Sequence, residues 1–483
     1  MLSGGRFTRV EFHVSLVGRR DLADEIYRQL RGAIVDGPLQ PGDPLPASRE
    51  LARRLSVSRT TVTVAYERLN GEGFVTSRVG AGTFVSGEVP CSPGATRRSA
   101  GALRPRSVWD RVRGPTAFAA PADYEFRTGL TDATRFPFET WRRLMARELQ
   151  PSAVGRGYYG DPAGHPALRE AIARHIGTSR GVTVAADDIT VTNGTQQALD
   201  LVARVLLAPG DRVAVEDPGY SPPVKLFETL GLDVKGVPVD GQGLVVDALP
   251  RGTRLVYVTP SHQYPLGTSM SLPRRIALLA WAERNDAAIV EDDYDSEFRY
   301  VGRPIEPLQT LDTSGRVIYV GSFSKTVLPT LRLGFVVTPS SLSRALQAAK
   351  YVTDWHTSLP SQGALAHFVD EGWLARHIRK MRAVYQVRHE MIAHALGQDL
   401  VDDLTIIPSV AGLHISATAN TASPAEIREV VERALAAGVA VQPLSMFRVD
   451  QPARSGLAIG YGAIETGRIE EGLRRLHAAF DPA

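Results

Sequence analysis

The sequence predicts a multidomain protein: a small, mostly helical N-terminal unit with a β wing, followed by a longer α/β body. Three observations carry that prediction. Residues 22 to 71 show the apolar recurrence of helices, and residues 74 to 86 switch to strand-like alternation around Gly80-Ala81-Gly82. Residues 91 to 115 set six arginines among Pro, Gly, Ser and Ala, a composition with little to bury. Beyond residue 123, short apolar runs end in acids or glycine turns and give way to helical stretches, as the strands of an α/β sheet do.

With 483 residues, the chain has room for two or three domains. Hydrophobic content of 43% and aromatic content of 7% are ordinary for a globular protein. No apolar run approaches the roughly 18 residues of a membrane span, and the N-terminus has no hydrophobic signal core. A cytoplasmic protein without membrane contact is expected. Cys91, the sole cysteine, can make no internal disulfide, in keeping with a reducing compartment. The 11 histidines show no ligand spacing, so no metal site is expected.

In the N-terminal unit, Leu22, Ile26, Leu30 and Ile34 give a helix with one apolar stripe, ended by Gly37 and Pro38. Leu39 to Pro46 reads as a stiff turn. A short helix capped near Ser48 runs to Leu55, and a second starts at Val57-Ser58-Arg59-Thr60-Thr61-Val62 and continues to Gly71. Two short helices joined tightly, the second opening with Ser, Arg, Thr and Thr, are a helix-turn-helix pattern. Phe74 to Arg78 and Thr83 to Ser86 then form a two-stranded wing.

Charge is uneven along the chain. Residues 1 to 115 hold 18 arginines against 11 acids, a surplus of 7 positive charges, whereas the whole chain carries +3. The excess lies at the front, as nucleic-acid binding needs. Much of it sits in the linker-like stretch, at Arg97, Arg98, Arg104, Arg106, Arg111 and Arg113. The expected boundaries are 15–87 for the first domain, 88–122 for the linker and 123–483 for the body.

The body's chemistry centres on Lys325, one of five lysines against 50 arginines. It stands in Gly321-Ser322-Phe323-Ser324-Lys325-Thr326 with Arg332 downstream, between two apolar runs. Lysine among buried strands is costly unless bonded, and a lysine with hydroxyls and an arginine nearby suits an aldehyde cofactor bearing a phosphate. Upstream, the apolar run Ala288-Ile289-Val290 ends in Glu291-Asp292-Asp293-Tyr294. Asp292 and Tyr294, two apart on a strand end, fall on one face, where a carboxylate can meet a pyridinium and a hydroxyl can meet a phenolic oxygen. Thr190 to Ala198 reads as strand, glycine turn and helix start, which offers N–H groups to a phosphate. Tyr220, after Glu216-Asp217-Pro218-Gly219, can stack on a ring.

Residues from about 125 to 480 resemble a fold-type I aminotransferase. The resemblance rests on Tyr159-Gly160-Asp161-Pro162, Thr195-Gln196-Gln197, Glu216 to Tyr220, Pro260 to Pro265, Glu291 to Asp295 and Ser322 to Lys325, in family order. It implies pyridoxal 5'-phosphate (PLP) as cofactor. Lys325 would be the Schiff-base lysine, Asp292 would face the pyridine nitrogen, Tyr294 the phenolic oxygen, and Tyr220 would stack. Thr195, Gln196, Ser322, Ser324 and Arg332 would hold the phosphate, and Tyr159 would reach it from a partner subunit. His262 and Gln263 lie in a loop over the expected ring, and Trp355 and His356 are expected to pack rather than line the pocket.

The stretch from Leu22 to Val85 resembles the GntR-type winged helix-turn-helix, through Pro41 to Pro46, Ser58 to Val62 and Gly80 to Val85. By that resemblance Arg49, Ser58, Arg59, Thr60, Thr61 and Gly82 would meet double-stranded DNA at a promoter operator, mostly on phosphates. The two parts in this order are similar to the MocR, or GabR-like, regulators, which implies a homodimeric, PLP-binding transcription regulator answering to a small effector.

One departure bears on the effector. Amino-acid-binding relatives carry a carboxylate-clamping arginine in a strand near the C-terminus, and Ala458 stands at that place in Gly456-Leu457-Ala458-Ile459-Gly460. Pro222 occupies the place of a second arginine in a GABA-sensing relative, which leaves Arg448 or Arg454 as substitutes. The leading expectation is a regulator that senses PLP itself and controls vitamin B6 synthesis or salvage. The alternative senses an amino acid or amine through an external aldimine at Lys325. A true aminotransferase, with residual turnover at Lys325, is the third.

Overall fold

A computed structural model describes residues 21–36, 38–78, 80–87, 103–110, 112, 122–302 and 306–481. The chain divides into two compact units, Met1–Pro105 and Arg106–Ala483. Most of the expected linker at 88–122, with Arg97, Arg98, Arg111 and Arg113, and the expected helix stop at Gly37 lie outside the described residues.

In the first unit, α1 (Leu22–Val35), α2 (Ser48–Leu55) and α3 (Arg59–Gly71) pack with a three-stranded sheet. Ile26, Tyr27, Leu30 and Ile34 form the buried stripe of α1, and they meet Leu51, Val62, Ala65, Tyr66 and Leu69 in one core. The wing pairs β2 (Val75–Arg78) with β3 (Gly82–Val85), antiparallel, Val75 opposite Val85. Pro44 and Leu45 read as a turn but form β1, antiparallel to β3, because Leu45 buries its side chain in this core. Ser48 also departs from expectation: it is the first helical residue of α2, and Ala47 is the N-cap without a side-chain bond.

The second unit is built on an eight-stranded mixed sheet. After β4 (Tyr124–Glu125), its strands are β5 (Ile189–Thr192), β6 (Arg212–Asp217), β7 (Asp233–Asp240), β8 (Gly243–Leu244), β9 (Thr253–Val258), β10 (Ala288–Asp293), β11 (Val317–Ser322) and β12 (Gly334–Val337). Their spatial order is β5-β12-β11-β10-β9-β6-β7-β8. Strands β7, β6, β9, β10 and β11 run parallel, and β12 is antiparallel to both β11 and β5. The carboxyl ends of β5, β6, β9, β10 and β11 therefore share one edge, where an open α/β sheet places its ligand. The middles of these strands are apolar and buried, as in Val213 to Val215, Leu255 to Val258, Ile289 to Val290 and Val317 to Val320, as burial on both faces requires. A second sheet near the C-terminus orders β13 (Leu404–Ile406), β14 (His414–Ala419), β17 (Gly456–Gly460) and β16 (Gln442–Pro443), while β15 (Val439–Ala440) pairs with β4. Among the described residues, no helix is long and apolar enough to cross a membrane.

Candidate functional site

The carboxyl edge of the large sheet opens on a cleft of about 420 Å³. Each strand end delivers a side chain to it: Thr195 and Gln196 after β5, Tyr220 after β6, Thr259 after β9, Asp292 and Tyr294 at the end of β10, and Ser322, Ser324 and Lys325 after β11. Arg332 enters from the turn before β12. Of the ten residues expected to hold a cofactor, nine line this one cleft. Tyr159 does not: it is 72% exposed and stacks on Trp355 with ring centroids 4.1 Å apart.

Strand alternation explains how three adjacent acids do different work. Glu291 accepts the backbone N–H groups of Leu308 and Gln309, each at 2.9 Å. Asp293 accepts from Arg180 Nε and from the Tyr319 hydroxyl, both at 2.7 Å. Asp292, pointing to the other face, lines the cleft. Its Oδ2 accepts from the Tyr257 hydroxyl at 2.7 Å, and its Oδ1 is buried with no partner. Burial pushes the Asp292 carboxyl up to about 7, against the Tyr257 hydrogen bond that favours its ionised form. A buried, half-satisfied carboxylate is costly alone and favourable beside a protonated ring nitrogen.

Lys325 Nζ donates to the Gly129 carbonyl at 2.5 Å. Burial draws its amine below the usual lysine range, while Asp295 and Asp292 oppose that shift. The neutral amine is the nucleophilic form, so this setting suits attack on an aldehyde.

One end of the cleft is shaped by backbone. The helix Thr195–Leu206 begins after Gly194, whose φ of 78° is a left-handed conformation. Arg332 Nη2 donates to the Asn193 carbonyl at 2.9 Å, so its guanidinium lies against the glycine turn beside the helix N-terminus. Ser322 Oγ accepts from the Ser324 N–H at 3.1 Å. Helix N-terminus, hydroxyls and guanidinium together form an anion cradle.

Tyr220 stands edge-on to Tyr264, centroids 5.6 Å apart, and burial raises its hydroxyl to about 12. The Tyr294 hydroxyl bonds to the His262 carbonyl at 2.9 Å and lies 3.0 Å from His262 Nδ1. His262 does not line the cleft; it packs under Tyr294 and holds Asp295 and Ser409. Gln263 is likewise turned inward, to the Pro218 and Tyr264 carbonyls. Trp355 lies outside the cleft lining and meets Tyr159 and Tyr351.

Several lining residues escaped the sequence reading. Tyr257 sits within an apolar run and reads as core, and Thr128, His414 and Gln442 come from distant segments. Thr128 Oγ1 donates to Gln442 Oε1 at 2.7 Å across 314 positions. His414 donates its Nε2–H to the Pro265 carbonyl, 2.8 Å away, and burial holds its imidazole well below its usual range, hence neutral. His262, Asp295 and His414 form a close buried group whose hydrogen bonds run to Tyr294, Ser409 and Pro265.

Neither Arg448 nor Arg454 reaches the cleft; Arg454 Nη2 donates to the Val239 carbonyl at 2.5 Å. Ala458 is fully buried among Val239, Leu266, Leu444 and Phe447. Lys325 and Arg332 are the only lysine or arginine among the described residues lining the cleft.

This donor set fits PLP: an amine, an orphaned carboxylate oxygen, a stacking ring and an anion cradle that a Cβ at Gly194 would fill.

In the first unit, Ser58 caps α3, its Oγ accepting the Thr61 N–H at 3.1 Å and lying 2.7 Å from Thr61 Oγ1. Arg49, Arg59 and Thr60 are exposed, and Gly82 is exposed on the wing with φ 114°. Arg54 and Arg68, by contrast, are paired with Glu50 and with Asp24 and Glu72. Arg49 and Arg59 make no ion pair among the described residues, which leaves them available to phosphates.

Comparison with known proteins agrees with both units. Residues 129–476 match aminotransferase class I and II, and residues 22–85 match bacterial regulatory proteins of the gntR family. The chain is 38% identical to the probable rhizopine catabolism regulatory protein MocR of Rhizobium meliloti, covering 94% of this chain and 93% of that one. It is 32% identical to the pyridoxine biosynthesis transcriptional regulator PdxR of Corynebacterium glutamicum, over 91% of each. Among solved structures, Pyrococcus horikoshii kynurenine aminotransferase, in complex with PMP, aligns at TM-score 0.69 and 29% identity, covering 78% of this chain and 95% of that one.

Proposed function

From a chain that belongs to the MocR-type transcription regulators, with a gntR-family DNA-binding head and a PLP-binding aminotransferase class I and II body, we propose a regulator whose signal is PLP itself. In this reading the protein controls vitamin B6 synthesis or salvage. The observation that carries it is the charge inventory of the cleft. Both of its strong cations, Lys325 and Arg332, would serve the cofactor's aldehyde and phosphate, and among the described residues none remains for an amino acid's carboxylate. The likeness to a pyridoxine biosynthesis regulator supports the same reading.

The geometry supports these residue roles. Lys325 would hold the aldehyde carbon, with Gly129 orienting its amine. Asp292, fixed by Tyr257, would keep the ring nitrogen protonated through its free Oδ1. Tyr294 would turn its hydroxyl toward the ring oxygen, and Tyr220 would cover the ring face. Thr195, Gln196, Ser322, Ser324 and Arg332 would hold the phosphate. Bound there, PLP supplies an electrophilic carbon and an electron sink.

We assign Arg49, Ser58, Arg59, Thr60, Thr61 and Gly82 to the operator, and residues 88–122 to the linker. The exposed Tyr159 and Trp355 suit a homodimer in which Tyr159 serves a second copy's phosphate.

In vitro transcription from the protein's own promoter region, with cofactor-free and PLP-loaded protein, tests the proposal. A change in transcript on adding PLP, with no amine present, is expected; equal output from both forms would sink it. A second reading, an amine effector without a carboxylate, draws on the neutral groups of the cleft, Thr128, His414 and Gln442. A physiological amine that shifts the bound cofactor's absorbance would favour it over the first.

A further inference from the structure

A second, smaller space of about 10 Å³ lies within the body and shares no lining residue with the cofactor cleft. Its wall consists of Arg180, Arg275, Arg299, Ser261, Ser269, Ser296 and the methyl of Ala411. Three guanidiniums and three hydroxyls face it, and no carboxylate does.

The charges around it are partly accounted for. Arg180 is held by Asp293 and by Ser261 Oγ, each at 2.7 Å. Arg275 is 0% exposed and gives Nε to the Met270 carbonyl and Nη2 to the Pro260 carbonyl. Its Nη1 is buried without a hydrogen bond: it forms a long ion pair with Glu291 Oε1, 3.6 Å away, and Glu291 also accepts from Leu308 and Gln309. Arg299 Nε is also buried and unpartnered. Burial above all, with Arg180 adding to it, draws both guanidiniums below their usual range.

Leaving two cationic donors without an acceptor costs on the order of 1–3 kcal/mol each. A water could accept from both, but it would need acceptors of its own. Among the described residues the wall offers only serine oxygens as acceptors; Ser261 Oγ already receives Arg180, Ser269 Oγ donates to the Ser261 carbonyl, and Ser296 Oγ alone remains. An acceptor with full negative charge and no hydrogen to place matches the wall better. The space has room for one atom-sized occupant.

We propose that this space binds a single monatomic anion, chloride under ordinary ionic conditions, held by Arg275 Nη1 and Arg299 Nε. The anion would steady the arginine group that grips Asp293, the residue after Asp292.

Crystals of the full chain grown in sodium bromide, with data collected above the bromine absorption edge, test the site directly. An anomalous peak in hydrogen-bonding reach of Arg275 and Arg299 is expected. A water in that place without anomalous signal overturns the proposal. In solution, the wild-type protein should melt a few degrees higher in sodium chloride than in sodium gluconate of equal ionic strength. Ala411→Val, whose added methyls enter the space, should melt alike in both salts. Equal wild-type melting in the two salts, even with a bromide peak in the crystal, would mean an adventitious ion only and would also overturn it. Should Ala411→Val fail to fold, the wild-type comparison and the bromide peak decide the matter.

Discussion

The Arg332 guanidinium lies so close to Gly194 that a Cβ on the glycine would stand 2.6 Å from Nη2. Gly194→Ala would push the guanidinium out of the anion cradle and also strain a backbone held at φ 78°. We expect PLP affinity to fall at least about tenfold, roughly 1.4 kcal/mol, with operator affinity of the cofactor-free form unchanged. A PLP titration followed by absorbance checks this, and wild-type affinity in the variant would rule out the cradle.

Lys325→Ala should abolish covalent retention of the cofactor. Borohydride treatment and mass spectrometry should find the pyridoxyl mass on Lys325 of the wild type and on no residue of the variant. Label on Lys350, buried against Asp354 and Gln197, would instead mean that the site is misassigned.

Asp292 predicts a pH dependence with a definite sign. Its carboxyl stands at about 7 in the fold against 3.8 in its ordinary setting, so between those values the folded, cofactor-free body binds the extra proton. Stability from this group is present below about pH 4 and is lost as pH rises to 7, by up to about 4 kcal/mol. Denaturation midpoints of cofactor-free wild type and Asp292→Asn should diverge as pH rises from 5 to 8, with the variant ahead at pH 8. The variant should nevertheless hold PLP more weakly. A constant offset across that range would refute the assignment.

In the head, Arg49→Ala and Arg59→Ala should each weaken operator binding, with PLP uptake unaffected. If each arginine sits on a phosphate, the slope of log affinity against log salt should shrink by about 0.9 per variant. Ser58→Ala should cost the head about 1 kcal/mol of stability, because Ser58 caps α3 through the Thr61 N–H. Unchanged salt slopes in both arginine variants would place the DNA surface elsewhere.

Much of the cleft is legible in the sequence because its chemistry is local. A strand end, a turn and the next helix start are contiguous, so Asp292 with Tyr294, or Ser322 with Lys325, announce themselves by spacing. The two-part fold is legible for the same reason, through helical and strand periods that switch at residue 74. Contacts between distant segments are not. Thr128 and Gln442 meet across 314 positions, and no local period reports that. Tyr257 reads as core because its ring is core, and only its hydroxyl, 2.7 Å from Asp292, reaches the site. Pro44 and Leu45 read as a turn because their strand partner, Phe84 and Thr83, lies 40 residues on. Tyr159 carries a family-like motif, yet it stands exposed and stacks on Trp355, outside the cleft.

The most direct test follows operator affinity and PLP uptake in one titration of the wild-type protein, without any amine, with Lys325→Ala as control. The account predicts that the DNA response and cofactor uptake share one midpoint and that the variant shows neither. Operator affinity that stays constant while wild-type protein fills with PLP would contradict it.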